Sequence, residues 1–260
     1  MKTREFGSDK AETIVFLHSS NTAGWMWGPQ QPAFADHHLL VPDLPGFGEN
    51  NDLEWVSLAD SAARVAGLIA ERAHGGRAHV VGLSLGSSVA ALVAARHPEV
   101  VDSLVLTSPA FAAPSASARL SSRLMIALWN SRGFWRGMAR SYGLHGEDAE
   151  LFVDTGAGIR QETARRIFAE VLPGIDPATL APITAPTLAI AGGRDAAFVR
   201  EGSLRLIGEA VPDAVTAIAP GLHHHGNIED PDLFNEAVRA WITRGTVSPG
   251  LVPTTSPAAR

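Results

Sequence analysis

The chain has 260 residues, 45% of them hydrophobic and 18% charged, a composition that can bury a sizeable core and excludes an intrinsically disordered chain. Its 21 Lys and Arg stand against 27 Asp and Glu, a formal charge of −6 with no basic run, which argues against a nucleic-acid partner. There is no cysteine, so disulfides, thiolate metal sites and a cysteine nucleophile are excluded.

The first segment, MKTREFGSDKAETIVFLHSS, lacks the apolar run of a secretory leader, and no later segment is apolar enough to span a bilayer. A cytoplasmic protein without a membrane partner is the expectation. Short β-branched runs predict strands at ETIVFL (12–17), HLLVPD (38–43), AHVVGL (78–83), VDSLVLTSP (101–109), APTLAIAGG (185–193) and AVTAIAP (214–220). Between them, apolar residues recur at helical spacing: Leu58, Ala62, Val65, Leu68 and Ile69, then Val89, Leu92 and Val93, then Leu204, Ile207 and Val211. This alternation predicts an α/β fold with a mostly parallel sheet, its core formed by residues 1–110 and 183–245. The alternation breaks over 111–182, where four helix-like stretches follow one another, so a helical cap inserted between two strands is expected there. Pro114 and Ser115 mark its start and PGIDPATLAPITAP (173–186) its end. The last stretch, TVSPGLVPTTSPAAR (246–260), has no periodicity and is expected to be a disordered tail.

One short motif carries the chemistry. After the strand AHVVGL the chain reads Gly82-Leu83-Ser84-Leu85-Gly86 and runs into an alanine-rich helical pattern. A serine nucleophile there needs a turn tight enough to project its hydroxyl off the sheet, and glycines two residues to either side remove the side chains that would clash. Such a turn also aims the N-terminus of the next helix at the serine, so the Leu85 N–H can stabilise an oxyanion. The competing reading is a strand-to-helix turn with small residues for packing alone. Two further loops decide between them, because a nucleophilic serine needs a base and an acid that orients the base. Asp195 follows the strand APTLAIA in GGRD, and His223, His224 and His225 follow AVTAIAP in GLHHHGNIEDP. The chain order is Ser, Asp, His. Three adjacent histidines diverge and do not suit one tetrahedral ion, so no metal is expected.

The residues FLHSS (16–20), DLPGFGE (43–49), GLSLG (82–86), ARHPEVVDSLVL (95–106), GGRD (192–195) and HHGNIEDPDLF (224–234) together resemble the α/β-hydrolase fold superfamily, over nearly the whole chain. The resemblance implies a helical cap over the active site and a triad of Ser84, Asp195 and His224. His224 is chosen because the base in similar proteins stands five residues before a closing glutamate, here Glu229. His223 is the next candidate, and polarity at the surface is the plain reading of the flanking histidines. It implies a second oxyanion donor at Ser20, with Ser19 where glycine is usual; a hydroxyl from Ser19 or Ser20 could add a donor. His18 and the Asp43 turn take structural roles. With few residues before Ile14, the leading antiparallel strands of the fold compress to about Lys2–Phe6, giving a sheet of about seven strands.

Serine at the nucleophile position argues against the dehalogenase and epoxide-hydrolase branches and implies an acyl-enzyme. The expected activity is hydrolysis of a carboxylic ester of a small or medium, mostly uncharged substrate, without metal or organic cofactor. Lactone hydrolysis is an alternative, since enol-lactone hydrolases resemble this chain at GLSLG. C–C bond hydrolases share the triad but differ at Leu83 and Ser19. An alternative of another class is a non-catalytic small-ligand receptor on the same fold. Ser19, Trp25, Trp27, Leu83, Trp129 and Trp135 are candidate substrate-binding residues, although aromatic residues of the cap equally serve to hold it onto the core. The cap arginines read as solvated helix faces. The assembly is expected to be a monomer or homodimer.

Overall fold

A computed structural model describes residues 1–254. Its strands are β1 (Thr3–Phe6), β2 (Thr13–Leu17), β3 (His38–Pro42), β4 (Ala78–Leu83), β5 (Val101–Thr107), β6 (Thr187–Gly192), β7 (Val215–Ala219) and β8 (Val252–Pro253). They form one sheet in the order β1-β3-β2-β4-β5-β6-β7-β8. Pairing is parallel from β3 through β7, and antiparallel only where β1 meets β3 and β8 meets β7. The central strands are buried on both faces, which explains their nearly continuous Val, Ile, Leu and Ala runs.

The helices in chain order are α1 (Gln30–Ala33), α2 (Leu58–Arg72), α3 (Leu85–Arg96), α4 (Ala116–Ala127), α5 (Arg132–Ser141), α6 (Gly146–Gly158), α7 (Gln161–Val171), α8 (Pro177–Leu180), α9 (Leu204–Ala210), α10 (Gly226–Glu229) and α11 (Pro231–Arg244). Ser57 caps α2, its side chain accepting the Asp60 N–H at 3.0 Å, and the predicted apolar face of that helix is buried. Ten consecutive residues of α3, Leu85 to Ala94, are buried, so its alanine-rich sequence reflects burial on every side. Among the described residues, no helix is long and apolar enough to cross a membrane.

Chain order reverses around β2, which pairs with β3 on one side and β4 on the other. A crevice opens at the carboxyl ends of parallel strands where their order reverses in this way. The loops after β2 and β4 flank that crevice.

Between β5 and β6 the alternation gives way to α4 through α8. The Ile175 N–H donates to the Phe111 carbonyl at 2.8 Å, joining the two chain segments at the neck of this insertion. Ser203, just before α9, accepts the N–H groups of Phe111 and Ala112, each at 2.9 Å. The inserted helices share an aromatic core in which the Trp129 and Trp135 rings meet edge to face at 4.8 Å and Trp135 meets Phe152 at 5.7 Å.

The sheet has eight strands against the seven expected, because β8 comes from the segment expected to be a disordered tail. That expectation does not hold up to Thr254. Leu251 and Ser248 are buried, and the Thr254 N–H donates to the Thr216 carbonyl at 2.7 Å. The segment therefore covers backbone groups that the edge of β7 would otherwise present to water, and Pro253 is tolerated on such an edge. Positions 255–260 of the same segment lie outside the described residues.

Candidate active site

β4 ends at Leu83 and α3 begins at Leu85, leaving Ser84 alone in the turn at φ 56° and ψ −109°. A non-glycine residue adopts such a backbone only where its surroundings enforce it. A Cβ on Gly82 would run into the Gly86 carbonyl, and a Cβ on Gly86 into the Leu17 carbonyl at the end of β2. The two glycines thus let helix, turn and neighbouring strand close on one another. The turn is also pinned from below, in a way the motif does not announce. The Ser84 N–H donates to the Thr107 carbonyl at 2.9 Å, and the Ser87 hydroxyl lies 2.7 Å from the Gly82 carbonyl and 2.9 Å from that of Thr107.

Asp195 follows β6 and is buried, with 7% of its surface exposed. Its Oδ1 lies 2.8 Å from Nδ1 of His224, and its Oδ2 accepts from the Ser108 hydroxyl at 2.7 Å and the Gly192 N–H at 3.1 Å. Burial opposes the ionised carboxylate, but the attraction and hydrogen bond of His224, with the Ser108 and Gly192 donors, outweigh it and hold its pKa below the ordinary value. The carboxylate therefore fixes Nδ1–H on His224 and leaves Nε2 free to take a proton. Ser108, at φ 43°, was not singled out from sequence. The available signal was its position directly after β5, at the carboxyl edge where the crevice lies.

The other two histidines differ from each other. His223 is engaged by Glu229, which accepts its N–H at 2.7 Å and lies 2.8 Å from its Nδ1. His225 corrects the surface reading: it is 1% exposed, with neither ring nitrogen hydrogen-bonded, and packs against Tyr142 at 4.9 Å and Phe152 at 5.9 Å. Burial, reinforced by His224 and only partly opposed by Asp195, pushes its pKa down to about 3, so it is neutral beside His224.

In the loop after β2, His18 Nε2 accepts the Leu44 N–H at 2.9 Å, so its Nδ1–H donates to the Ser19 carbonyl at 2.8 Å. Burial lowers its pKa against the pull of Asp43 and the Ser19 bond, which agrees with a neutral ring that ties two loops together. The Asp43 carboxylate gathers the N–H groups of Gly24 at 2.6 Å and Glu49 at 2.8 Å. The Ser19 hydroxyl is turned to Asn21 Oδ1 at 3.1 Å.

These loops and the inserted helices enclose a cavity of about 390 Å³. Ser19, Ser20, Ser84, Leu85, Asp195 and His224 all line it from the core side, and Trp129, Trp135, Met125 and Tyr142 from the cap side. As the first residue of α3, Leu85 has an N–H that the helix itself does not use. Trp25, Trp27 and Leu83 were expected at the substrate site and lie outside this wall. Trp27 is fully buried against Phe16 and Phe234 on the far face of the sheet. Leu83 joins the same far-face cluster, because alternation along β4 sends it away from the cavity. Trp25 instead donates its Nε1–H to Thr155 Oγ1 at 2.9 Å, from the core to α6.

A sequence profile for the alpha/beta hydrolase family matches residues 14–237. The chain is 28% identical over 244 residues to an AB hydrolase superfamily protein of Gibberella zeae, covering 89% of this chain and 80% of that protein. It is 26% identical over 247 residues to a pimeloyl-[acyl-carrier protein] methyl ester esterase of Aeromonas hydrophila, covering 88% and 94%. Among solved structures, the enol-lactonase from Burkholderia xenovorans LB400 superposes with a TM-score of 0.75 at 22% identity, over 94% of this chain and 96% of that one. The profile spans most of the chain and the sheet order and inserted helices agree with it: the protein belongs to the alpha/beta hydrolase family.

Proposed function

We propose that the protein is a serine hydrolase that cleaves carboxylic esters of small or medium, mostly uncharged substrates through an acyl-enzyme on Ser84. The observation that carries this reading is the constellation at one cavity: a serine in an enforced turn, and a histidine held by a buried, ionised aspartate. Ser84 Oγ attacks the ester carbonyl as His224 Nε2 takes its proton, and the carbonyl oxygen gathers charge beside the N–H groups of Leu85 and Ser20. His224 returns the proton to the leaving alcohol, and water then releases the acid by the same steps in reverse order. No step calls for a metal or an organic cofactor. The largely apolar cap wall, with Met125, Trp129 and Trp135, suits an uncharged acyl or alkyl group. A lactone follows the same course with its alcohol still tethered, and the Aeromonas relative named for a methyl ester supports the ester reading.

The test is hydrolysis of p-nitrophenyl butyrate by the wild type and by Ser84→Ala at neutral pH, followed by acyl-chain and lactone series. Turnover that disappears in Ser84→Ala is the expected result. Wild-type protein that binds such esters without turning them over would favour a receptor on the same fold.

A further inference from the structure

Tyr142 is the one tyrosine of the chain, and the reaction as drawn above does not use it. It caps the C-terminus of α5, which faces the cavity with Trp135, Met138 and Tyr142 at helical spacing. Its ring packs edge-on against His225 at 4.9 Å and lies nearly parallel to the His224 imidazole, at 23° with centroids 6.2 Å apart. Its hydroxyl has no hydrogen-bond partner among the described residues, yet it is not sealed away as the unpartnered Trp129 Nε1 is. Of the other polar groups on this wall, Trp129 Nε1 is buried, Ser141 Oγ donates to the Met138 carbonyl at 2.7 Å and Trp135 Nε1 to that of Trp129 at 2.5 Å. The cap thus carries one unpartnered hydroxyl on a ring that lines the cavity beside the His224 imidazole.

We infer that the Tyr142 hydroxyl donates a hydrogen bond to the alkoxy oxygen of the bound ester as His224 protonates it. An ester in this cavity turns its carbonyl oxygen to Leu85 and Ser20, and its alkoxy oxygen to the imidazole that must deliver the proton. The Tyr142 ring lies nearly parallel to that imidazole and lines the same cavity, and we place its hydroxyl on the side of the alkoxy oxygen. In the step concerned, the bond from the acyl carbon to the alkoxy oxygen breaks, the proton on His224 Nε2 passes to that oxygen, and Tyr142 keeps its own proton throughout. Burial, with a smaller contribution from the Asp195 charge, pushes the phenol up to about 12, so it remains a donor at neutral pH. The consequence is a preference: esters of ordinary alcohols, whose oxygen gathers most charge on leaving, gain most from Tyr142. This inference rests on the ester-hydrolase reading.

The experiment compares ethyl butyrate with p-nitrophenyl butyrate, using wild type, Ser84→Ala and Tyr142→Phe, which keeps the ring. Tyr142→Phe is expected to lower kcat/KM about 10-fold for the ethyl ester and only about 2-fold for the aryl ester, the size of one hydrogen bond to a charged oxygen. Equal losses on the two esters, or no loss, overturn the role of Tyr142 while turnover lost in Ser84→Ala still upholds the esterase. A wild type inactive on both esters overturns the two readings together.

Discussion

On the core side of the cavity the backbone does the placing, and on the cap side the rings do. Ser84 is fixed by two glycines and by carbonyls of β2 and β5, and Asp195 by a hydroxyl and an amide. The cap presents its wall through edge-to-face contacts among Trp129, Trp135, Phe152 and Tyr142, while its polar links to the core lie away from that wall, as where Glu170 of α7 accepts from Trp55 Nε1 at 3.0 Å and the Leu58 N–H at 2.9 Å. Backbone placement tolerates almost no change of shape, whereas ring packing can be exchanged for another arrangement of similar volume. The fold therefore separates the rigidly held Ser84, Asp195 and His224 from a wall whose shape can vary.

The comparison breaks most sharply at two glycines. An alanine at Gly86 would drive its Cβ into the Leu17 backbone, which belongs to a buried central strand and cannot withdraw. Gly86→Ala is expected to cost roughly 3 to 5 kcal/mol, with the loss of any residual activity per folded molecule exceeding what the lost stability explains. At Gly156 in the cap the added Cβ would meet the Trp135 ring at 2.6 Å, a side chain that can shift within its aromatic cluster. Gly156→Ala is expected to cost less, about 1 to 3 kcal/mol. Chemical denaturation of the two variants decides the matter, and equal losses would mean that the cap is as tightly determined as the core.

The same division explains what could be read from sequence. Ser84 and Asp195 are set by local chain chemistry, a strand followed by a tight turn, and their positions follow from residue order. His224 needed the spacing to Glu229, because three neighbouring histidines look alike until the fold buries one, pairs one with Glu229 and leaves one for Asp195. Leu83 and Trp27 were misplaced because being near Ser84 or the oxyanion loop in sequence is not the same as facing the cavity; alternation along β4 could have excluded Leu83. Ser108 and Tyr142 depend on pairings 87 and 82 residues away in sequence, Ser108 with Asp195 and Tyr142 with His224, which no local pattern records. The ordering of residues 246–254 against β7 was hidden for a similar reason: the segment is polar and aperiodic, and only the free sheet edge gives it a place.

A middle-sized effect should appear where the two regions meet, at His225. It belongs to the core loop but is enclosed by cap rings, and its folded pKa near 3 lies well below the ordinary 6.5. The unfolded chain takes up a proton at this histidine below about pH 6.5, and the folded protein resists until about pH 3. The stabilisation is thus complete above the unfolded value and is lost steadily as pH falls between the two. His18, His38 and His79 are depressed by burial too, so the wild type alone does not isolate the effect. His225→Phe, which keeps an aromatic ring without a titrating nitrogen, is expected to lose less stability than the wild type when pH is lowered from 7 to 4.5, measured by urea denaturation at each pH. Parallel curves for the two proteins would show that water reaches this ring and that the cap does not close over it.

The smallest expected effect concerns the hydrogen bond between Trp25 and Thr155, one of the polar links from core to cap. Trp25→Phe keeps most of the ring and removes the N–H, leaving the Thr155 hydroxyl with a solvent partner, since this pair is only partly buried. The loss should be about 1 kcal/mol by denaturation, the ordinary net worth of one such bond. The informative reading is how that loss divides. If ring packing holds the cap, the whole protein still unfolds in one transition and proteolysis in the cap rises only in proportion to the lost stability. A new early transition, or cleavage confined to 111–182 at a rate far above that proportion, would show that this one bond holds down the lid. A change in KM much larger than the change in stability would point the other way, returning Trp25 to the substrate wall from which the structure removes it.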